Sequence, residues 1–208
     1  MLSLDKESLQ KQVPDIRLKK SLGAGGNANV YRGKPNDSGV EVAIKFLVNL
    51  DPKRYARFRD EVLVVTNRLK ASPHVLPILA HSFPPTPDST SVPWYSMPVA
   101  TTLLDHTKPL KEIARFAVMM QLSEGLASLH ENQVAHRDIK PQNLFIYEAR
   151  ACFGDFGIAK FPDASGVTTA TEPMGPVGWI APEMVENSSD EDAYKADVYS
   201  FEIGRAHV

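Results

Sequence analysis

The first half of the chain alternates short apolar runs with polar turns, which is typical of β-strands. Val30-Tyr31-Arg32-Gly33 and residues 40–48 are rich in β-branched residues, and the turn-like Pro35-Asn36-Asp37-Ser38-Gly39 separates them. A third run, Trp94 to Ala100, follows a proline-rich stretch at 84–91 that proline geometry excludes from regular structure. The pattern predicts antiparallel strands joined by turns and one long loop.

Residues 53–70 change to the helical period. Apolar residues recur on one face there: Tyr55, Phe58, Val62, Val65 and Leu69. At about 100° per residue, Glu61 falls roughly 80° from the middle of this stripe, while Asp60 points almost directly away. The helix is therefore predicted to pack against the strands with Glu61, rather than Asp60, able to reach inward.

A second helical pattern covers about residues 111–131. Its predicted core-facing residues are Ile113, Phe116, Ala117, Met120, Leu122, Leu126, Ala127 and Leu129. We expect this helix to serve packing, since methionines inside such a stripe are more often filler than a binding surface.

Composition narrows the class of protein. The 208 residues are 43% hydrophobic and carry a formal net charge of −2, so a globular chain is expected and a basic surface for nucleic acid is not. A single cysteine excludes an internal disulfide framework, and Cys152 is expected to be a small buried residue on a short strand. We find no secretory signal or membrane-length apolar run, so a cytoplasmic location is expected.

The chemistry is concentrated in the segment His136 to Asn143 and in Asp155-Phe156-Gly157. Two acidic groups and an amide at this spacing are typical of a magnesium–nucleotide site with a base beside it. Three further motifs occur in the matching order: Gly23-Ala-Gly25-Gly-Asn-Ala28-Asn-Val30, Val42-Ala43-Ile44-Lys45 and Ala181-Pro182-Glu183. Strands rather than a helix follow the glycine loop, which disfavours a dinucleotide-binding fold.

With these motifs the chain resembles a eukaryotic-like serine/threonine protein kinase domain, truncated in its C-lobe. The resemblance implies an α+β, two-lobed fold, with an antiparallel sheet and one helix in the N-lobe and a mainly helical C-lobe. Residues 16–99 would form the N-lobe and residues 100–201 a partial C-lobe. Residues 202–208 are interpreted as a non-native tail, and the chain on its own is expected to be catalytically silent.

The resemblance also implies roles for the polar residues. Asp138 would accept or orient the proton of a substrate hydroxyl, and Lys140 would stabilise the γ-phosphate. Lys45 would contact the α- and β-phosphates of ATP, with Glu61 fixing its orientation. Asn143 and Asp155 would hold Mg²⁺. His136 is expected to be structural, packed beneath Phe156.

A nucleotide site is implied in the same way. Its expected lining comprises Leu22, Gly23, Gly25, Val30 and Ala43 on one side, Phe145 below, Met97 as gatekeeper, and the backbone near Val99 and Ala100 at the base edge.

Three positions depart from the family pattern, and three others bear on its regulation. Ala28 replaces a usual glycine and is expected to strain the loop and weaken nucleotide binding. Pro176 replaces a usual threonine, and Trp179 stands at a usual tyrosine position. Thr168, Thr169 and Thr171 are candidate phosphorylation sites beside Arg137, with an ordinary loop role equally open.

Three functions from different classes follow. The first is an ATP-dependent serine/threonine protein kinase that acts on a protein substrate. The second is a pseudokinase or ATP-binding scaffold, suggested by Ala28 and Pro176, and the third is a small-molecule kinase. The retained Lys45, Glu61, Asp138, Asn143 and Asp155 favour the first, since a scaffold needs no base.

Overall fold

A computed structural model of the chain describes residues 4–165, 179, 181–182 and 190–205. By its internal contacts the chain divides into two compact units. One unit comprises Met1–Val62 and Pro77–Val99, and the other comprises Leu63–Leu76 and Ala100–Val208.

The first unit is built on a five-stranded antiparallel sheet of order β1-β2-β3-β5-β4. Its strands are β1 (Ile16–Ala24), β2 (Ala28–Pro35), β3 (Val42–Leu47), β4 (Ala80–Ser82) and β5 (Trp94–Pro98). The strands predicted around the glycine loop and before residue 100 are confirmed, as is the proline-rich loop between β4 and β5.

Strand β3 packs against apolar side chains on both of its faces. Because side chains alternate along a strand, Val42, Ile44 and Phe46 share one cluster, and Leu47 belongs to another with Phe58, Val62 and Tyr95. Ile44 and Phe46 are completely buried. A strand covered on both faces has little freedom to shift, which matters because it carries Lys45.

Helix α1 (Lys6–Gln10) precedes the sheet, and helix α2 (Pro52–Leu63) carries Glu61. The helix predicted over 53–70 continues beyond Leu63 as one π-helical turn, Val64–Arg68, which closes with a hydrogen bond from the Leu69 amide to the Val64 carbonyl at 3.0 Å. Three consecutive β-branched residues, Val64-Val65-Thr66, crowd this turn and lower its preference for a regular α-helix.

The second unit combines helices with a small sheet of order β6-β7-β8. Its elements are β6 (Thr101–Thr102), α3 (Leu103–Thr107), α4 (Glu112–Glu131), a 3₁₀ turn (Pro141–Asn143), β7 (Leu144–Tyr147), β8 (Arg150–Phe153) and α5 (Asp190–Arg205). The α+β fold expected from the family resemblance, a strand-rich part followed by a mainly helical one, is confirmed.

Helix α4 buries a different face from the one predicted. Leu122, Leu126 and Leu129 are buried as expected, but Ile113 is 86% exposed and Phe116 is 66% exposed. The prediction is also wrong for the exposed Ala117, Met120 and Ala127.

The reason is that apolar residues of α4 occur on all sides of the helix, so their spacing does not select a buried face. Gly125 selects it, since a Cβ at this position would lie 2.7 Å from the Cβ of His74. The buried face is therefore centred on Val118, Met119, Leu122, Gly125, Leu126 and Leu129.

Helix α5 runs through Arg205, so its last turns include part of the segment interpreted as a non-native tail. The origin of residues 202–208 stays a prediction. Among the described residues no helix is long and apolar enough to cross a membrane.

Candidate active site

The loop from His136 to Asn143 is fixed by a carboxylate from α5. Asp197 is 1% exposed, and its two oxygens accept the backbone N–H groups of His136 and Arg137, each at 2.7 Å. The ring of His130 also lies on Asp197, with Nε2 3.1 Å from Oδ2. Charge-assisted bonds to buried amides are among the stronger ones in proteins, so Asp197 determines where the loop lies.

Two residues of the motifs adopt left-handed backbone conformations, which residues other than glycine rarely adopt. Arg137 has φ 66° and Asp155 has φ 62°. Such torsions cost on the order of 1–3 kcal/mol each and persist only where surrounding contacts hold them. At Arg137 the bond from its N–H to Asp197 is one of these contacts.

The loop brings three predicted side chains together. Lys140 Nζ lies 2.9 and 2.8 Å from the two oxygens of Asp138, and Asn143 Nδ2 donates to Asp138 Oδ2 at 2.8 Å. Asn143 Nδ2 also donates to the Asp138 backbone carbonyl at 2.9 Å. A carboxylate flanked by a cation and an amide is held in one orientation, as a positioned proton acceptor must be.

The β7–β8 hairpin places the residue before Asp155 in contact with Asn143. The Gly154 amide donates to the Asn143 carbonyl at 2.9 Å, and Asp155 follows directly with an exposed side chain. A side chain at 154 would meet Phe145 Cε2 at 2.9 Å, so the absence of one lets the chain pass close to β7.

His136 is fully buried next to the aromatic rings of this hairpin. Its ring centroid lies 4.7 Å from that of Phe156 and 5.8 Å from that of Phe153, and Nε2 lies 3.1 Å from the Gly154 carbonyl oxygen. This position matches the predicted packing beneath Phe156 and supports a structural role rather than that of a general base.

The first unit contains a polar cluster of its own. Lys45 Nζ lies 2.9 and 3.0 Å from the two carboxylate oxygens of Glu61, and the side chains are 13% and 3% exposed. The prediction that Glu61, and not Asp60, reaches inward is confirmed. The roles of Lys45 and Glu61 towards a nucleotide stay predictions.

Tyr95 is a member of this cluster that the sequence pattern did not indicate. Its hydroxyl donates to Glu61 Oε1 at 2.8 Å, and Lys45 Nζ lies 5.5 Å from its ring centroid. The contact depends on the β3–β5 register, in which Lys45 and Tyr95 are paired, and no local spacing reveals that register.

Ala28 is not strained. It lies in β2, where it is paired with Leu47, and its φ is not positive. The Gly25 amide donates to its carbonyl at 3.0 Å, which closes the glycine loop. The expectation that Ala28 strains this loop is therefore wrong, because an extended strand residue does not need a glycine.

The other residues predicted to contact a nucleotide are distributed over both units. Leu22, Gly23, Gly25, Val30, Ala43, Met97 and Val99 belong to the first unit, and Ala100 and Phe145 belong to the second. Leu22 is 42% exposed and Ala43 is buried. Their contacts with a nucleotide stay predictions.

Some predicted features lie outside the described residues, namely Thr168, Thr169, Thr171, Pro176 and Glu183. Trp179 is described, and its carbonyl accepts the Ser200 hydroxyl at 2.7 Å. Ala181 is buried in a cluster with Ala196 of α5.

The donors present fit a hard divalent cation. Asn143 Nδ2 donates to two oxygens of Asp138, which orients this amide and leaves its Oδ1 available to a cation. Asp155 adds a carboxylate. Within the described ranges no group of three His, Cys, Asp or Glu side chains could hold a metal. Two protein oxygens suit Mg²⁺, which usually keeps waters and phosphate oxygens as its other ligands.

Cys152 lies in β8 and is 1% exposed. Burial raises the pKa of its thiol to about 11, which keeps it protonated near neutral pH. The predicted role as a small buried residue is confirmed.

Comparison with known proteins places these motifs in a family. A protein kinase domain model matches residues 16–204. The chain is 32% identical to proline-rich receptor-like protein kinase PERK13 of Arabidopsis thaliana over 191 aligned residues. The aligned region covers 88% of this chain and 26% of that protein.

Two further relatives show similar values. A leaf rust 10 disease-resistance locus receptor-like protein kinase-like 1.2 of Arabidopsis thaliana is 28% identical over 205 residues, covering 95% of this chain and 30% of that protein. A mimivirus protein from Acanthamoeba polyphaga mimivirus, whose name describes a serine/threonine-protein kinase/receptor, is 29% identical over 196 residues, covering 91% of this chain and 12% of that protein.

The chain thus spans between 12% and 30% of the length of these relatives. The family match covers nearly all of the chain, including the glycine loop, the Lys45–Glu61 pair, the 136–143 loop and Asp155. The chain belongs to the protein kinase domain family.

Proposed function

We propose that this chain is the nucleotide-binding and phosphoryl-transferring part of a serine/threonine protein kinase that uses MgATP. The observation that carries the proposal is the Asp138 carboxylate, held by Lys140 and Asn143 in a loop anchored on Asp197. Relatives named as receptor-like protein kinases support the same class.

Each residue has a task in this reaction. The substrate hydroxyl oxygen forms a bond to the γ-phosphorus, the bond from phosphorus to the β–γ bridging oxygen breaks, and the hydroxyl proton passes to Asp138. The transition state of this transfer is loose, so positioning and charge stabilisation contribute most of the rate. Lys140 supplies positive charge beside Asp138, which suits the γ-phosphate.

Lys45 and Glu61 prepare a cation for the α- and β-phosphates. Glu61 and Tyr95 limit the orientations available to the Lys45 ammonium group before a ligand arrives. Asn143 and Asp155 would hold the divalent cation, which when bound offsets the negative charge of the phosphate oxygens.

The lysine two residues after Asp138 favours serine and threonine over tyrosine by family resemblance. Ala28 and Pro176 suggested the pseudokinase alternative. The unstrained position of Ala28 in β2 removes the first of these grounds, and Pro176 lies outside the described residues. The retained acidic and amide groups favour a catalyst.

The test measures phosphate transfer to a generic protein substrate, followed by identification of the modified amino acid. It uses the longest natural chain that contains residues 16–201, with the 208-residue chain assayed in parallel. Asp138→Asn is expected to lower the transfer rate about 10²- to 10⁴-fold. The matched control is Asp37→Asn, at an exposed turn position.

Undiminished transfer by Asp138→Asn would remove the assigned role of Asp138. Modified tyrosine without modified serine or threonine would contradict the proposed substrate class. A chain that binds MgATP but transfers nothing in either length would favour the scaffold.

A further inference from the structure

Residues 4–15, which we call the N-terminal cap, precede the region that matches the protein kinase family. They nevertheless belong to the core of the first unit. Leu9 is 0% exposed and Val13 is 3% exposed, and Leu4 packs against the same cluster. The other buried members of this cluster come from the sheet and the segment before β5: Leu18, Val42, Ile44, Phe46 and Val92.

Two glutamines fasten the cap to the backbone of the first unit. Gln10 accepts the Leu18 N–H at 2.8 Å and donates to the Ile16 carbonyl at 2.9 Å. Gln12 accepts the Val92 N–H at 3.0 Å and donates to the Thr90 carbonyl at 3.0 Å.

Both side-chain amides therefore bind the carbonyl of one residue and the N–H two residues later. A neighbouring residue in a parallel β-ladder makes the same two bonds. Side-chain amides thus replace strand partners at two places, which ties the cap to β1 and to the chain entering β5.

The cap shares its cluster with the residues that flank Lys45. Ile44 and Phe46, the neighbours of Lys45 in β3, are both 0% exposed within that cluster. Lys45 itself points to the opposite face, where it meets Glu61. The position of the Lys45 backbone therefore depends on how well Ile44 and Phe46 are packed.

We propose that the N-terminal cap is a positioning element for Lys45. Leu9, Gln10 and Val13 hold β3 in place, keep Lys45 against Glu61, and thereby raise the affinity of the domain for a nucleoside triphosphate. The nucleotide part of this proposal rests on the proposed function, whereas the hold on β3 does not.

The first experiment measures amide hydrogen exchange on the 208-residue chain. Leu9→Ala is compared with Leu79→Ala, the same change at a residue of the first unit that is 55% exposed. Exchange over residues 42–47 is expected to be about tenfold faster in Leu9→Ala, because the strand opens locally more often, and unchanged in Leu79→Ala. Exchange over residues 144–153 of the second unit should stay unchanged in both.

An unchanged rate over residues 42–47 in Leu9→Ala would overturn the proposal. Equal acceleration in both units would overturn it as well, because the cap would then contribute only to global stability.

Gln10→Ala and Gln10→Glu cover the case in which Leu9→Ala does not fold. Gln10→Glu keeps the acceptor for the Leu18 N–H and loses the donor to the Ile16 carbonyl. Its exchange over residues 42–47 is expected to lie between those of the wild type and Gln10→Ala. Wild-type rates in both variants would contradict the proposed fastening.

The second experiment measures affinity for a fluorescent ATP analogue. Leu9→Ala is expected to weaken binding about threefold to tenfold in the wild type, but less than twofold when Glu61→Gln is already present, since coupled residues are not additive. An equal factor in both backgrounds would show that the cap does not act through the Lys45–Glu61 pair. A wild-type chain that binds no nucleotide would defeat the proposed function, and the exchange experiment would still decide the role of the cap in β3.

Discussion

The 136–143 loop and the Lys45–Glu61 pair hold their charged groups in different ways. The loop relies on backbone amides that converge on a single buried carboxylate, Asp197. The pair joins a strand to a helix, and an apolar cluster beside it includes Leu47, Phe58, Val62 and Tyr95. One region therefore depends heavily on a single residue, while the other distributes its support over many.

Replacement of Asp197 is the strongest way to test this difference. Asp197→Ala leaves two buried N–H groups without their acceptor, at about 1–3 kcal/mol each, so the free energy of unfolding should fall by about 2–6 kcal/mol. Asp197→Asn keeps one acceptor oxygen and should lose about half as much. Urea unfolding measures both, with Asp37→Asn as the exposed control. Equal stability of Asp197→Ala and the wild type would refute the anchoring role.

Replacement of Glu61 should have a smaller effect on stability. Glu61→Gln keeps the shape of the side chain and can still accept from Tyr95, but Lys45, with 13% of its side chain exposed, loses the negative charge of Glu61. A hydrogen bond to a charged group contributes about 1.5–3 kcal/mol, so the free energy of unfolding should fall by at most this amount. Urea unfolding measures the loss, and Glu131→Gln at an exposed position of α4 is the control. A loss larger than that of Asp197→Ala would reverse the comparison.

Two alanine-to-glycine changes test the backbone itself and should have opposite signs. Ala28→Gly replaces a strand residue and should destabilise the chain by about 0.5–1 kcal/mol without improving nucleotide affinity. Ala149→Gly relieves φ 61° in the β7–β8 turn and should stabilise it by a similar amount. Thermal unfolding and nucleotide titration measure both changes. Tighter nucleotide binding by Ala28→Gly would restore the view that Ala28 weakens the loop.

The partly exposed charges around Glu41 in the first unit should matter least. Hydrogen bonds from Lys19 and then Arg32 lower the pKa of Glu41 from 4.5 to about 2. Because the folded pKa lies below the unfolded one, any stabilisation is complete above pH 4.5 and is lost as the pH falls through about 2. The stability difference between wild type and Glu41→Gln should therefore shrink over this window, and 1 M salt should reduce it at neutral pH. A difference independent of both pH and salt would exclude an ionic origin.

Local spacing predicted the features that local geometry determines. The choice of Glu61 over Asp60 needed only the helical period, and it is confirmed by the contact with Lys45. Asp138, Lys140 and Asn143, whose roles the family resemblance implied, lie within one short loop, so their contact follows once the loop folds.

Long-range pairing accounts for what the sequence did not reveal. Tyr95 reaches Glu61 through the register of β3 and β5. In α4 the apolar residues surround the helix, and the buried face depends on the close approach of Gly125 to His74. Neither register nor close approach is encoded in residue spacing.

Gln10 of the N-terminal cap also affects how this molecule associates with other copies of itself. Strand β1 is at the edge of the sheet, and an open edge offers unpaired amides and carbonyls on which strands of other chains can add. Gln10 occupies the Ile16 carbonyl and the Leu18 N–H with a side chain that cannot extend the ladder. The cap thereby protects this part of the edge against strand addition. A shortened chain that begins at residue 16 would present this edge as a template for aggregation.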